Sequence, residues 1–386
     1  MNILIVSHYG LYDDVKSSFI HDQASAYQML GHRVRVIIPI AVGKSGGGEK
    51  QISPMLSYSC VDGVELYYVH FLSLSRFGTR WFNHKSAVTT VRKLLPHILR
   101  DFAPDIIHAH TLGFDSSLGA WLKDRLCCPL VVTTHGSDTS IPAEQGKYAE
   151  LKAYCDACDC VVAVSSAIAA RLRHCGTSTP ISVILNGFKI QNLAPEAVKK
   201  QPCSVIQVGT FTPQKKFDIT IRAFASLRAH HPTATLTVIG WGREQENLKN
   251  LCISLGVSDS VRFVERIPNA EVLAEMAKTQ FFCMTSVREG FGIVYLEAMA
   301  SSCITIGTQG EGIADFIENG KNGFLVPPDD PEAIVQVMEW CLAHPQEAAT
   351  IAARGEAAAR ELTWEANAKK YLELFAFLCR CVNRGC

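Results

Sequence analysis

The sequence predicts an α/β protein of two domains, each a parallel sheet wound with helices. Three observations carry this. The chain has 386 residues, too long for one ordinary domain and long enough for two of roughly 180. Short apolar runs ending in polar residues alternate with amphipathic stretches along the whole chain, the pattern of strands joined by right-handed helical crossovers. The alternation is interrupted at 189–202 (KIQNLAPEAVKKQP), a polar, proline-bearing and weakly periodic stretch that reads as a linker.

The elements follow in order. NILIVS is a buried strand, so MNILIVSHYG, with Asp13 and Asp14 close behind it, reads as the opening of a sheet and not as a secretion signal. Residues 18–30 (SFIHDQASAYQML) form an amphipathic helix that Gly31 ends, and RVRVIIP is the next strand. GKSGGGEK is a loop, VELYYVH a strand, and 84–101 a helix. DIIHAH, LVVTTHG and CVVAVS are short apolar strands, and ISVILNGF closes the first half. The second half repeats the pattern with SVIQVGT, ATLTVIG, VRFVER, FFCMTS, ITIGT and GFLVP. Residues 364–386 read as one long helix with Trp364, Tyr371, Leu372, Leu374, Phe375 and Leu378. The expected domains are therefore 1–188 and 203–363, with the linker between them and the last helix after them. Ligands of such sheets bind at the C-terminal ends of the strands, where His8, His110 and His135 all fall.

Composition excludes several classes of function. Lys+Arg 37 balances Asp+Glu 37, which argues against a nucleic-acid partner. No run of 18 apolar residues is present, so no transmembrane helix is expected. The 15 cysteines fit a reducing, cytoplasmic setting. Cys155, Cys158 and Cys160 form C-x-x-C-x-C, but zinc needs four ligands in closed geometry, so these are read as buried thiols and no metal site is expected.

The chemistry concentrates in Glu289-Gly-Phe-Gly-Ile-Val-Tyr-Leu-Glu297. Gly290 and Gly292 allow backbone to approach a ligand, and a helix is expected from Ile293. The first turn of a helix offers unpaired N–H groups and a positive dipole end, which suits phosphate. Glu289 lies just before that end and Glu297 about two turns into the helix, a spacing that fits a ligand with a diphosphate at its middle, such as a nucleotide-sugar.

The segment EGFGIVYLEAMA resembles the signature of glycosyltransferase family 4, retaining nucleotide-sugar transferases of the GT-B architecture. That architecture is two Rossmann-like domains with parallel sheets facing a cleft, and the resemblance runs from residue 1 to the last helix, which in similar proteins crosses back onto the first domain. QVGTFTPQKKFD (207–218) is similar to the family segment in which Arg and Lys hold the donor diphosphate. It places Gly209 in the turn and Lys215 at the lysine position, with Lys216 where a glycine is usual and Thr210 where the arginine is usual. A charge-assisted hydrogen bond is worth roughly 1.5–3 kcal/mol, and Lys216 is the candidate to replace the one lost at Thr210. THGSD (134–138) resembles the family segment whose histidine, here His135, faces the transferring sugar. SHYGLYDDVKSSF keeps one glycine, Gly10, of the pair common near the diphosphate and acceptor. Gly240 in VIGWGREQENL and Arg266 after VRFVE stand where relatives meet the nucleotide base, with Trp241 in place of an acidic residue.

Residues 66–100 contain no Asp or Glu but hold Arg76, Arg80, Lys85, Arg92, Lys93 and Arg100, interleaved with Phe71, Phe77, Trp81 and Phe82. Basic plus aromatic suits an anionic membrane surface.

The resemblance implies a retaining hexosyltransferase that uses a UDP- or GDP-linked sugar and no cofactor or metal. Glu297 would bind ribose hydroxyls and Glu289 those of the donor sugar, while the N–H groups of Phe291, Gly292 and Ile293 face sugar and phosphate. Lys215 would offset charge on the leaving diphosphate and His135 would orient the sugar, with the leaving phosphate taking the acceptor proton. The acceptor would be a glycan or lipid-linked glycan in surface-polysaccharide assembly, and the enzyme cytoplasmic or peripheral on the inner face of the plasma membrane. A non-catalytic nucleotide-sugar-binding protein and another GT-B enzyme, a phosphorylase or an epimerase, are the alternatives; no segment resembles a pyridoxal-phosphate lysine site.

Overall fold

A computed structural model describes residues 1–8, 19–42, 55–74, 80–189 and 198–382. The chain divides into two compact units, residues 1–185 with 364–386, and residues 186–363.

Unit 1 is built on an eight-stranded sheet: β1 (Asn2–Val6), β2 (Arg33–Val42), β3 (Leu56–Val61), β4 (Val64–Leu72), β5 (Ile106–His110), β6 (Leu130–Thr134), β7 (Cys160–Ala163) and β8 (Ile181–Val183). The order across the sheet is β3-β4-β2-β1-β5-β6-β7-β8, and every pair is parallel except β3–β4. Helices α1 (Phe19–Met29), α2 (Arg80–Ile98), α3 (Phe114–Leu126), α4 (Ser137–Glu144), α5 (Tyr148–Asp156) and α6 (Ser166–His174) make the connections. Ile3, Leu4, Ile5, Ile106, Ile107, Val131, Val132, Val161 and Val162 are all fully buried, which is why these strands read as unbroken apolar runs. Each such side chain contributes about 1.5–3 kcal/mol by leaving water.

Unit 2 carries β9 (Gln201–Val208), β10 (Thr235–Ile239), β11 (Val261–Val264), β12 (Thr279–Cys283), β13 (Ile304–Thr308) and β14 (Phe324–Val326). Its all-parallel order, β11-β10-β9-β12-β13-β14, is the doubly wound 3-2-1-4-5-6 arrangement. Helices α7 (Phe217–His230), α8 (Gln245–Ser254), α9 (Asn269–Lys278), α10 (Ile293–Ala300), α11 (Pro331–Ala343) and α12 (Pro345–Glu361) accompany it. Strand direction reverses its winding between β9 and β12, so the loops that leave those two strands flank the switch point where a ligand has room. Both sequence segments with the strongest chemistry, 207–218 and 289–297, begin there.

The last helix, α13 (Trp364–Val382), belongs to unit 1. Asn367 Nδ2 donates to the Leu185 carbonyl at 2.7 Å and Asn367 Oδ1 accepts from Gln23 Nε2 at 2.7 Å. The Tyr371 hydroxyl lies 2.9 Å from the Thr133 hydroxyl, and Tyr27, Tyr371 and Phe375 pack as an aromatic group beneath the sheet.

The structure differs from the sequence expectation in several places. β3 was not expected: its alternation is weak, but it is closed onto β4 by Asp62-Gly63, whose φ of 49° and 78° suit a two-residue hairpin turn. β9 starts at Gln201, inside the stretch read as linker, because the sheet extends downward to pair Gln201 with Thr279. Helix α4 fills a region that the sequence left unassigned, and α2 begins four residues before the expected start. Phe71 is buried and stacks on Phe114 at 5.5 Å, so it belongs to the core and not to a membrane-facing surface; Arg76 and Phe77 lie outside the described residues.

Candidate functional site

In unit 2 the site is assembled from four loops at the switch point. The turn after β9 places Lys215, and the segment after β12 places Glu289; the two side chains form an ion pair and keep only 19% and 17% of their surface. The loops are tied directly, since Val287 N donates to the Gln214 carbonyl at 2.9 Å and Gln207 Nε2 donates to the Lys215 carbonyl at 2.8 Å. Glu289 is further fixed through its backbone N–H, which donates to Glu311 Oε2 at 3.0 Å. A Cβ on Gly312 would lie 2.0 Å from the Gly290 carbonyl oxygen, so the 310–312 turn supports the glutamate loop at a closeness only glycine permits. Glu311 was not among the residues expected from the sequence; its signal was the glycine on each side of a lone carboxylate.

Gly292 caps α10 with a φ of 83°, and Phe291 beside it is buried. Tyr295 N in the first turn of α10 donates to the Gly292 carbonyl at 3.0 Å, which leaves the Ile293 and Val294 N–H groups as those that face out of the helix start, beside Glu289, whose Cγ lies 3.4 Å from where a Gly292 Cβ would stand. Glu297, in the second turn, accepts from Asn269 Nδ2 at 2.8 Å. Gly209 and Gly240 lie back to back: a Cβ on Gly240 would stand 1.9 Å from the Gly209 carbonyl oxygen. Arg266 and Trp241 are exposed, Trp241 at 52%. Lys216 sits at a φ of 52°, the region that favours glycine, which gives the physical reason a glycine is usual there. Its ammonium pairs with Asp329 at 2.6 Å, so it is turned away from Lys215's partner. Thr210 is exposed.

In unit 1 the strand ends bring histidines together. His110 Nδ1 and His135 Nε2 lie 3.1 Å apart with their rings stacked, 5.4 Å between centroids. His108, on the same strand as His110, bonds the Thr133 hydroxyl at 2.8 Å. Desolvation pushes His135 down to about 4, with Asp138 pulling the other way, and pushes His108 down to about 3; His110 is also held low by burial and its neighbours. All three rings are therefore neutral at pH 7. Asp138, which the sequence reading passed over inside THGSD, organises the turn by accepting from the backbone N–H groups of His135, Gly136 and Leu112 at 3.1, 2.9 and 2.9 Å. Gly10 lies outside the described residues. No group of three or more metal-ligating side chains occurs among the described residues, and no described helix is long and apolar enough to cross a membrane.

Comparison with known proteins agrees with this architecture. The family model described as Glycosyltransferase Family 4 matches residues 17–192, and the model described as Glycosyl transferases group 1 matches residues 189–358. The lipopolysaccharide core biosynthesis glycosyltransferase LpsE of Rhizobium meliloti is 31% identical over 359 residues, covering 86% of this chain and 97% of that protein. The GDP-mannose:cellobiosyl-diphosphopolyprenol alpha-mannosyltransferase of Komagataeibacter xylinus is 24% identical, covering 74% of this chain and 75% of that protein. Among solved structures, sucrose-phosphate synthase from Thermosynechococcus elongatus superposes with a TM-score of 0.77 at 18% identity, over 98% of this chain and 99% of that one. Anabaena HepE in complex with UDP-glucose superposes with a TM-score of 0.73 at 20% identity, over 98% of this chain and 100% of that one. The fold is thus GT-B, two Rossmann-like α/β domains. With two family models that together run from residue 17 to 358 and a relative alike over nearly its whole length, the chain belongs to the glycosyltransferases of the family 4 type.

Proposed function

We propose that this glycosyltransferase moves a hexose, with retention of configuration, from a UDP- or GDP-linked sugar to a glycan or lipid-linked acceptor. The observation that carries the reading is the Lys215–Glu289 pair at the switch point of unit 2, set beside the first turn of α10. A diphosphate there meets a cation and a helix N-terminus together, and the sugar beyond it meets a carboxylate.

In this reading Lys215 and the N–H groups of Phe291, Gly292 and Ile293 hold the diphosphate, and Glu289 accepts from the donor sugar's hydroxyls. Glu297 takes the ribose, with Asn269 fixing its rotamer. Gly209 and Gly240 shape the floor, and Arg266 meets the base. Lys216 would join the diphosphate only by giving up Asp329, which makes it the weaker substitute for the arginine that Thr210 replaces. His135, held as a neutral imidazole, is assigned to orient the sugar, whose hydroxyls such a ring bonds without a charge of its own. No cofactor or metal is assigned.

The likeness to LpsE, named for lipopolysaccharide core biosynthesis, and to a transferase named for a diphosphopolyprenol acceptor supports a place in surface-glycan assembly. A cytoplasmic enzyme working at the inner membrane face fits such acceptors. The basic stripe of α2, with Lys85, Arg92 and Lys93 exposed, supplies the contact to anionic lipid. The test is the anomeric configuration of the product by proton NMR: the donor's own configuration supports the reading, and inversion rejects it.

A further inference from the structure

The turn that carries Glu289 holds a second carboxylate whose charge the donor chemistry above does not use. Glu311 stands at the head of a short helical turn, Gly312–Asp315, and its own carbonyl accepts from the Ala314 N–H at 2.9 Å. Gly312, next in the chain, presses on the glutamate loop: a Cβ there would lie 2.0 Å from the Gly290 carbonyl oxygen and 2.8 Å from Phe291 Cα. Ile313 behind it is fully buried. The backbone around Glu311 is thus held in place, and its Oε2 accepts from the Glu289 N–H at 3.0 Å. Bond lengths keep the backbone N and the carboxylate of one glutamate within about 5 Å, so the two carboxylates lie within about 8 Å of each other.

Charge at this turn does not balance. Glu289 is paired with Lys215, but no cation pairs with Glu311 among the described residues, the exposed Arg288 beside Glu289 included. A hydrogen bond from a backbone N–H leaves a carboxylate its charge. The buried Tyr295, whose ring lies against Gly292, feels both acids: burial raises its phenol first, and Glu289 and then Glu311 raise it further.

We propose that Glu311 is a specificity-determining residue of the donor site, and that it turns away sugars bearing an acidic group, such as hexuronates, in favour of hexoses that bear none. The proposal rests on the transferase reading above, in which Glu289 holds the donor sugar. A hexuronate bonded to Glu289 carries its own carboxylate within a few bond lengths of that contact, and so within reach of Glu311. Like charges about 8 Å apart, at an effective dielectric constant of about 20, repel by an amount worth roughly tenfold to thirtyfold in affinity. The diphosphate escapes this repulsion because Lys215 and the start of α10 face it.

Glu311→Gln tests this, since the amide oxygen can still accept from the Glu289 N–H while the charge is gone. Donors are taken in matched pairs that differ only at C6: UDP-glucose with UDP-glucuronate, UDP-galactose with UDP-galacturonate, and GDP-mannose with GDP-mannuronate. The readout is the ratio of kcat/KM within a pair, neutral over acidic. A loss of folded protein leaves that ratio unchanged, because both donors meet the same sample. Wild type is expected to favour the neutral member by at least about tenfold, and Glu311→Gln to cut the ratio by about tenfold. Where turnover of the acidic donor is too slow to read, titration calorimetry gives the ratio from Kd. An acidic donor used by wild type as well as its neutral partner, or a ratio that Glu311→Gln moves by less than about threefold, overturns the proposal and leaves the transferase reading standing. A wild-type protein that releases no nucleoside diphosphate from any UDP- or GDP-sugar, with a bacterial lipid extract present, overturns that reading and this proposal together.

Discussion

At the scale of single residues the account turns on charge placed in partial burial. Lys215 and Glu289 are each more than four-fifths covered, so removing one leaves the other short of a partner in a poorly solvated place. Glu289→Ala is expected to lower transfer by about tenfold to a hundredfold for each strong hydrogen bond to the sugar that is removed. Nucleoside diphosphate affinity should stay level or rise, since Lys215 is released; isothermal titration with UDP and GDP checks it. Lys215→Ala should do the reverse and weaken diphosphate binding by about tenfold to a hundredfold, a loss of roughly 1.5–3 kcal/mol. Lys216→Ala should change diphosphate affinity little, because its ammonium already pairs with Asp329. The two lysines are adjacent in sequence and equal in charge. Only the left-handed backbone at Lys216 sends them to different partners, and a φ angle is not written in a pair of lysines. The carboxylate roles were easier to read, since glycines mark the turn before α10. Glu311 was not, because its partner, the Glu289 backbone N–H, lies 22 positions away in sequence.

At the scale of elements, strands β5 and β6 deliver neutral histidines, and neutrality has a cost at low pH. For His108 the folded value, about 3, lies below the unfolded value near 6.5. Between those two the unfolded chain binds the proton and the folded chain does not. Stability is therefore full above pH 6.5 and falls as pH drops toward 3, by about 1.4 kcal/mol per pH unit for one such group. Thermal melts at pH 7, 6 and 5 should show the loss, and His108→Gln should flatten part of it. The loops have an equally specific requirement. Gly240→Ala drives a methyl against the Gly209 carbonyl and should cost about 1–3 kcal/mol, with weakened donor binding, measurable by denaturant titration. The order of strands and helices was legible because buried parallel strands are uniformly apolar and helices are periodic. The β3 hairpin was not, because a half-exposed edge strand has a weak pattern, and its Asp62-Gly63 turn was the only strong signal.

At the scale of the whole molecule, the sequence carried the two-domain α/β architecture well, since chain length and the change of composition near residue 190 are global features. It placed His8, His110 and His135 at the ends of unit 1's strands, but not the contact of His110 with His135, which exists only once β5 and β6 are paired. The basic face of α2 was legible as charge, but the burial of Phe71 was not, since it depends on packing against Phe114. If Lys85, Arg92 and Lys93 meet anionic lipid, vesicle binding should fall as salt rises, and replacing all three with alanine should weaken it by roughly 3 kcal/mol, at about 1 kcal/mol per cation. Sedimentation with phosphatidylglycerol vesicles measures this. The central claim, that unit 2 holds a nucleotide-sugar for transfer at Lys215 and Glu289, is tested most directly by nucleoside diphosphate release. Purified wild type and Glu289→Ala would be incubated with UDP-, GDP- and ADP-sugars, with and without a bacterial lipid extract. The account predicts release from a UDP- or GDP-sugar by wild type, raised by lipid and lost in the variant. Equal release by the variant, or no release by wild type from any donor that it binds, would contradict it.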